Sequence, residues 1–146
     1  MTAMERLASV APELVAMLVA SSPNVRQSAA IAAARLAVER STLTDPSVTA
    51  ALKEVGDRAL DSTSARAVQI VADELDRQAW AMADDESNRA SYLALFSQAR
   101  AASAVALALD TFAESGWADA IYEAFHATDE PDVIRSVVMR VLAAAP

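Results

Sequence analysis

Apolar residues recur along most of the chain at spacings of three and four, which is the period of an amphipathic helix. The cleanest stripe lies in residues 64–83 and consists of Val68, Val71, Ala72, Leu75, Ala79 and Met82. Weaker stripes of the same kind predict helices over 3–20, 23–39, 46–55, 117–127 and 131–142.

Proline and glycine set the predicted helix boundaries. Pro12 removes a backbone donor, so we expect a break or kink near Val10 that makes residues 3–20 one helix or two. A polar N-cap followed by proline is a helix-start signal, and an isolated glycine is a typical helix stop. The starts are Ser22-Pro23 and Asp45-Pro46, and the stops are Gly56 and Gly116.

The stretch 91–112 differs from the others because it is apolar nearly all round. One side carries Tyr92, Leu95, Phe96, Ala99, Ala106 and Leu109, and the opposite side carries Ala94, Ala101, Ala104 and Ala108. A helix without a polar face belongs inside a bundle, and an alanine face lets a second helix come close. We therefore predict a central alanine-rich helix over about 89–113, with the helices at 23–39 and 64–83 packed on it.

Composition supports a single all-α domain over residues 1–146. The chain has 36 alanines, two glycines and no cysteine, so helix is favoured nearly everywhere and disulfides are excluded. The run Val-Val-Met-Arg-Val at 137–141 is rich in β-branched residues and would suit a strand. Since no second strand is available to pair with it, helix is the better interpretation. The predicted fold is a compact bundle of six or seven helices.

Three helices begin with Pro-x-Val, at 23–26, 46–49 and 131–135. The first is followed by Ser-Ala-Ala-Ile-Ala-Ala-Ala-Arg-Leu, and in this the chain resembles HEAT-type repeats over residues 22–39 and 129–142. The third start carries Ser-Val-Val where that resemblance would expect Ala-Ala, and the three starts keep no fixed period. The resemblance implies a HEAT-like, protein-binding scaffold rather than an enzyme.

The chain is acidic, with 20 acidic and 12 basic residues and a net charge of −8. No run of Lys or Arg occurs, so nucleic-acid binding is not expected. An acidic surface suits a basic protein partner, although it also simply keeps a domain soluble. The sequence begins without a signal-peptide pattern and has no stretch of ~20 uncharged apolar residues, so we expect a cytoplasmic protein without a membrane segment.

A metal site is the first chemistry to consider. Asp119, Glu123 and His126 share one helical face, and Glu-x-x-His is one half of a di-iron carboxylate motif. His126 is the only histidine, and this face points away from the predicted core, whereas such ligands project inward. A solvated polar face is therefore the simpler interpretation. No Gly-x-Ser-x-Gly motif or glycine-rich phosphate loop occurs either, so no enzyme activity and no cofactor are expected.

An interaction surface is the stronger candidate. Five residues lie off the core stripe of the 64–83 helix, in one sector: Ile70, Asp73, Arg77, Trp80 and Asp84. Tryptophan and arginine flanked by acids are typical of binding hot spots. The alternative is that the bundle covers this helix on both sides, which would make Trp80 an ordinary core residue.

Two functions remain open on the sequence. The first is a small acidic interaction module that binds and masks another protein, as immunity proteins, antitoxins and adaptors do. The second is a metal- or small-ligand-binding helical bundle that uses Asp119, Glu123 and His126. A homo-oligomer with the alanine-rich helix at its interface is also compatible with the pattern.

Overall fold

The computed structural model describes residues 1–55, 62–110 and 115–145 and is all-helical in those ranges. The predicted all-α bundle is thus confirmed, with eight α-helices and one short 3-10 helix (Glu86–Asn88) in the described part. The α-helices are α1 (Ala3–Val10), α2 (Pro12–Val19), α3 (Pro23–Ser41), α4 (Pro46–Val55), α5 (Ser62–Met82), α6 (Arg89–Leu109), α7 (Gly116–His126) and α8 (Pro131–Ala144).

The first helix begins with a capping box, and it is separated from the second at Pro12. The Thr2 hydroxyl accepts a hydrogen bond from the Glu5 amide (3.1 Å), and the Glu5 carboxylate accepts one from the Thr2 amide (2.6 Å). This capping box satisfies two N-terminal donors of α1. The helix ends at Val10, and Pro12 is the first residue of α2. The break predicted near Val10 is therefore confirmed, and it makes two helices of residues 3–20.

Helix α3 begins and ends with defined caps. The Ser22 hydroxyl accepts from the Val25 amide at 3.3 Å, and Pro23 occupies the first turn. At the other end Thr42 adopts the left-handed conformation (φ 56°), while the amide of buried Leu43 donates to the Val38 carbonyl at 3.2 Å. This is the geometry of a Schellman cap, which usually holds glycine because a Cβ is unfavourable there. Thr42 therefore carries local backbone strain.

The carboxyl-terminal half of α6 lies at the centre of the bundle, in contact with α3, α4, α5 and α7. From position 99 onward it contributes eight buried residues, namely Ala99, Ala101, Ala102, Ala104, Val105, Ala106, Ala108 and Leu109. Helix α3 packs against α6, α7 and α8 and has five buried alanines of its own, which are Ala29, Ala30, Ala33, Ala34 and Ala37. The predicted central position of the alanine-rich helix is confirmed for this half.

The amino-terminal half of α6 does not lie inside the bundle. Ser91, Leu93 and Ala94 are exposed, and Tyr92 and Leu95 are only half-buried. The expectation that residues 91–112 are enclosed on all sides is thus wrong for the first two turns, where three side chains are exposed. The helix also ends at Leu109 rather than near 113, and residues 111–113 lie outside the described part, as does the stop predicted at Gly56.

The last two helices close the bundle. Gly116 is buried and is the first residue of α7, so it begins that helix rather than ending the one before. Helix α8 contains the Val-Val-Met-Arg-Val run and buries Ile134 and Val138, which confirms helix over strand.

By length and composition, the stretch Glu86–Leu109 is the one segment in the described ranges that could cross a membrane. Half of its apolar window is buried inside the bundle, as in a core helix, so this is weak support for a membrane span.

Candidate interaction surface

The five residues proposed for partner binding all lie on the outside of the molecule. Ile70, Asp73, Arg77 and Trp80 are exposed along the outer side of α5, and Asp84 is exposed in the turn that follows. The Trp80 side chain is 77% exposed and that of Ile70 is 63% exposed. The alternative that neighbouring helices cover Trp80 is therefore wrong, because no described helix packs on this side of α5.

Two of the polar members of this surface are already engaged. Arg77 donates two hydrogen bonds to the Glu74 carboxylate, at 2.6 and 2.9 Å. These bonds, with a further one from Gln78, lower the pKa of Glu74 to about 2. Asp73 accepts a hydrogen bond from Gln69 at 2.9 Å. Their contacts lie within α5, so they orient side chains along the helix and leave the outer surface open to a partner.

Beside Trp80 an open cleft of about 240 Å³ runs between α5 and α6. Each helix contributes side chains that lie one turn apart, which places them on one face. The cleft is lined by Asp76, Ala79 and Trp80 from α5 and by Tyr92, Phe96 and Arg100 from α6. The rings of Tyr92 and Phe96 are stacked, with centroids 6.1 Å apart. The cleft therefore has aromatic walls and a charged floor.

Arg100 holds the floor of the cleft together. Its guanidinium donates to both oxygens of Asp76, at 2.6 and 2.8 Å, and to Glu123 of α7 at 2.9 Å. It also lies over the Phe96 ring, 5.6 Å from the centroid. Burial by itself would lower the pKa of Arg100, but the charges and hydrogen bonds of Glu123 and Asp76 outweigh it, and the pKa is raised. Arg100 of α6 thus connects the three helices through two ion pairs, one with Asp76 of α5 and one with Glu123 of α7.

One donor in this network stays unsatisfied. The Nε of Arg100 is buried and has no hydrogen-bond partner among the described residues. A buried donor without an acceptor is unfavourable, so the hydrogen bonds from the guanidinium to Asp76 and Glu123 must offset the free-energy cost of burying this Nε–H group.

The predicted metal ligands do not come together as a ligand set. Asp119 accepts two hydrogen bonds from Arg6 of α1, at 2.7 and 3.0 Å, and Glu123 is paired with Arg100. His126 is exposed, its ring lies 4.4 Å from that of Tyr122, and its Nδ1 lies 3.0 Å from the Tyr122 carbonyl oxygen. Among the described residues, no three His, Cys, Asp or Glu side chains are placed to share a metal ion.

The two acids of that set have a structural role that the sequence did not reveal. The predicted solvated face is half-buried at Asp119 and Glu123, because Arg6 of α1 and Arg100 of α6 pair with these acids, and it is exposed at His126. One signal in the sequence pointed to this. Arg100 is the only charged residue between Arg89 and Asp110, and a charge in the middle of an apolar helix requires partners from neighbouring helices.

Comparison with known proteins adds no further guide to the site. No protein family model, no curated protein and no solved structure matches the chain.

Proposed function

We propose that the chain is a small acidic protein–protein interaction module that binds its partner through the outer side of α5, with Trp80 as the anchor. In this proposal it acts in the cytoplasm and binds or masks a partner, as immunity proteins, antitoxins and adaptors do, rather than catalysing a reaction. The HEAT-like start signals of α3 and α8 are in keeping with a scaffold of this kind.

The exposure of Trp80 is the observation that carries the proposal. A tryptophan that is 77% exposed keeps most of a large apolar surface in water, and covering it on binding would be favourable. Tryptophan is also among the residues most enriched at the centres of protein interfaces. Ile70 extends the apolar surface along the same helix, and Arg77 supplies the polar edge.

Affinity capture from the native cell tests the proposal. The wild-type chain is used as bait beside Trp80→Ala and a control, Val19→Ala, which removes an exposed apolar side chain (48% exposed) from α2. We expect a stoichiometric partner with the wild type and with the control, and its loss with Trp80→Ala. Retention of the same partner by Trp80→Ala at equal level would contradict the proposal.

Stability is the companion measurement. Since Trp80 packs against so little of the bundle, Trp80→Ala should change the free energy of unfolding by no more than a typical surface substitution does, about 0.5 kcal/mol in either direction. The melting temperature should therefore change little. A large drop in the melting temperature would mean that the side chain stabilises the fold. Loss of binding would then be explained by unfolding of the variant rather than by loss of a contact with the partner.

A further inference from the structure

The chemistry of the cleft beside Trp80 favours a positively charged group. Trp80, Tyr92 and Phe96 line the cleft, and an aromatic ring attracts a cation that lies over its face within about 6 Å of its centre. Phe96 already receives Arg100 in this way, at 5.6 Å. The rings of Trp80 and Tyr92 at the cleft mouth receive no cation from the described residues.

The net charge around the cleft also favours a positively charged ligand. Asp76 and Glu123 together outweigh the single positive charge of Arg100. Between Asp73 and Glu86 the chain carries six acidic residues and one arginine, so this segment supplies five of the eight excess negative charges of the whole chain. An anionic ligand would have to displace a carboxylate from Arg100 and meet this field, whereas a cation meets complementary charge.

The size of the cleft indicates what kind of cation fits. Its volume of about 240 Å³ is below the roughly 300–1,000 Å³ of most small-molecule sites. It is open to solvent beside the exposed face of Trp80, so a side chain can enter from a partner surface. Lysine and arginine have apolar stems that pack on an aromatic ring while the charged end reaches an acid.

We infer that the cleft receives a lysine or arginine side chain from a basic segment of the partner protein. The stem of that side chain packs on Trp80 and Tyr92, and its charged end lies near Asp76. This inference rests on the proposed function, because it supplies the chemistry of the partner for the same surface.

Short peptides test the inference on the intact chain by NMR. The probes are acetyl-Ala-Ala-Arg-Ala-Ala-amide and the same peptide with citrulline, which keeps the shape of arginine without the charge. The indole N–H of Trp80 is assigned with Trp80→Phe. We expect a saturable shift of the Trp80 indole and the Tyr92 ring with the arginine peptide, and an affinity about tenfold weaker with citrulline.

Charge variants locate the electrostatic part. Asp84→Asn with Glu86→Gln removes two exposed acids near the cleft, and the control, Glu39→Gln with Asp129→Asn, removes two exposed acids elsewhere. At low salt the first pair should weaken binding of the arginine peptide by about two- to fivefold and the control should not, because exposed charges act only over about a Debye length.

Equal affinity for the arginine and citrulline peptides would overturn the inference, and so would the absence of a saturable shift at Trp80. Either result is independent of the capture experiment. If Trp80→Ala loses its partner in the capture experiment but the arginine peptide does not bind at Trp80, the proposed interaction module is supported and the inference of a basic partner segment is rejected.

Discussion

The centre of the bundle and the outer end of the α5–α6 pair use opposite kinds of side chain. Helices α3 and α6 pack against each other at the centre, and their buried residues include ten alanines, between Ala29 and Ala37 and between Ala99 and Ala106. Where α5 and α6 extend beyond the bundle, Trp80, Tyr92 and Phe96 are exposed or half-buried.

In the described ranges the aromatic residues contribute little to the fully buried core. Of the six aromatic side chains in the described ranges, only Phe125 is buried. Aromatic rings can bury more apolar area than other side chains, and the exposed part of Trp80 is available for other contacts. A single helix, α6, changes from one role to the other near Ala99, so its two halves can be tested separately.

The largest effect should come from placing the same charge in each half of α6. Ala102→Asp buries an unpaired carboxylate at a fully buried position and is expected to unfold the domain, at a cost above about 4 kcal/mol. Ala94→Asp, at an exposed position of the same helix, should change stability by less than about 0.5 kcal/mol. Urea denaturation followed by circular dichroism measures both, and similar losses would contradict the two-region description.

The second largest effect on stability is expected at Arg100, which lies where the two regions of α6 meet. Arg100→Met keeps the packing of the stem but leaves Asp76 and Glu123 without their shared partner. We expect a loss of about 2–3 kcal/mol in the free energy of unfolding, since the side chain is only 20% exposed. The matched variant is Arg77→Met, whose pair with Glu74 lies on the surface and should affect the melting temperature little. Equal effects of the two variants would mean that the Arg100 network does not join the helices.

A smaller change, and one that stabilises, is expected at the end of α3. Thr42→Gly removes a Cβ from a left-handed position and should raise stability by about 0.5–1 kcal/mol. Thr44→Gly is the control, since Thr44 lies in the same loop without a positive φ and gains only flexibility in the unfolded chain. A melting temperature lowered by both substitutions would show that the Thr42 conformation carries no strain.

The smallest effect concerns pH and the outer side of α5. Because the pKa of Glu74 is lowered to about 2 in the folded protein, its ionised form favours folding. That contribution is complete above the unfolded pKa near 4.5 and is lost as the pH falls toward 2. Glu74→Gln should therefore be slightly less stable than the wild type at pH 6 and indistinguishable from it at pH 2, as measured by thermal denaturation. A difference that grows on acidification would contradict the assignment.

The helices and the alanine centre could be predicted from the sequence because their signals are local. Helical period, the Ser22-Pro23 cap and the break at Pro12 each act within a few residues. The exposure of Trp80 could not be predicted in this way, since it depends on how far neighbouring helices extend along α5. Periodicity identifies an apolar face of a helix but does not show at which residue the neighbouring helices stop packing on that helix.

The sequence indicates that Arg100 needs charged partners, but it does not identify them, for a related reason. Arg6 meets Asp119 and Arg100 meets Glu123 across long sequence separations, and the spacing of Asp119, Glu123 and His126 within one helix gave no sign of those partners. A set that resembled metal ligands along the sequence is divided in space between two arginines from different helices.

The many buried alanines of α3 and α6 also determine which changes the protein can tolerate. Side chains there are already as small as a Cβ allows, so trimming them further removes one methyl group at most. A larger side chain is expected to cost more, because Ala33 and Ala104 are fully buried and a leucine or valine at either position would overpack the interior. The middle of this molecule is therefore sensitive to enlargement rather than to truncation.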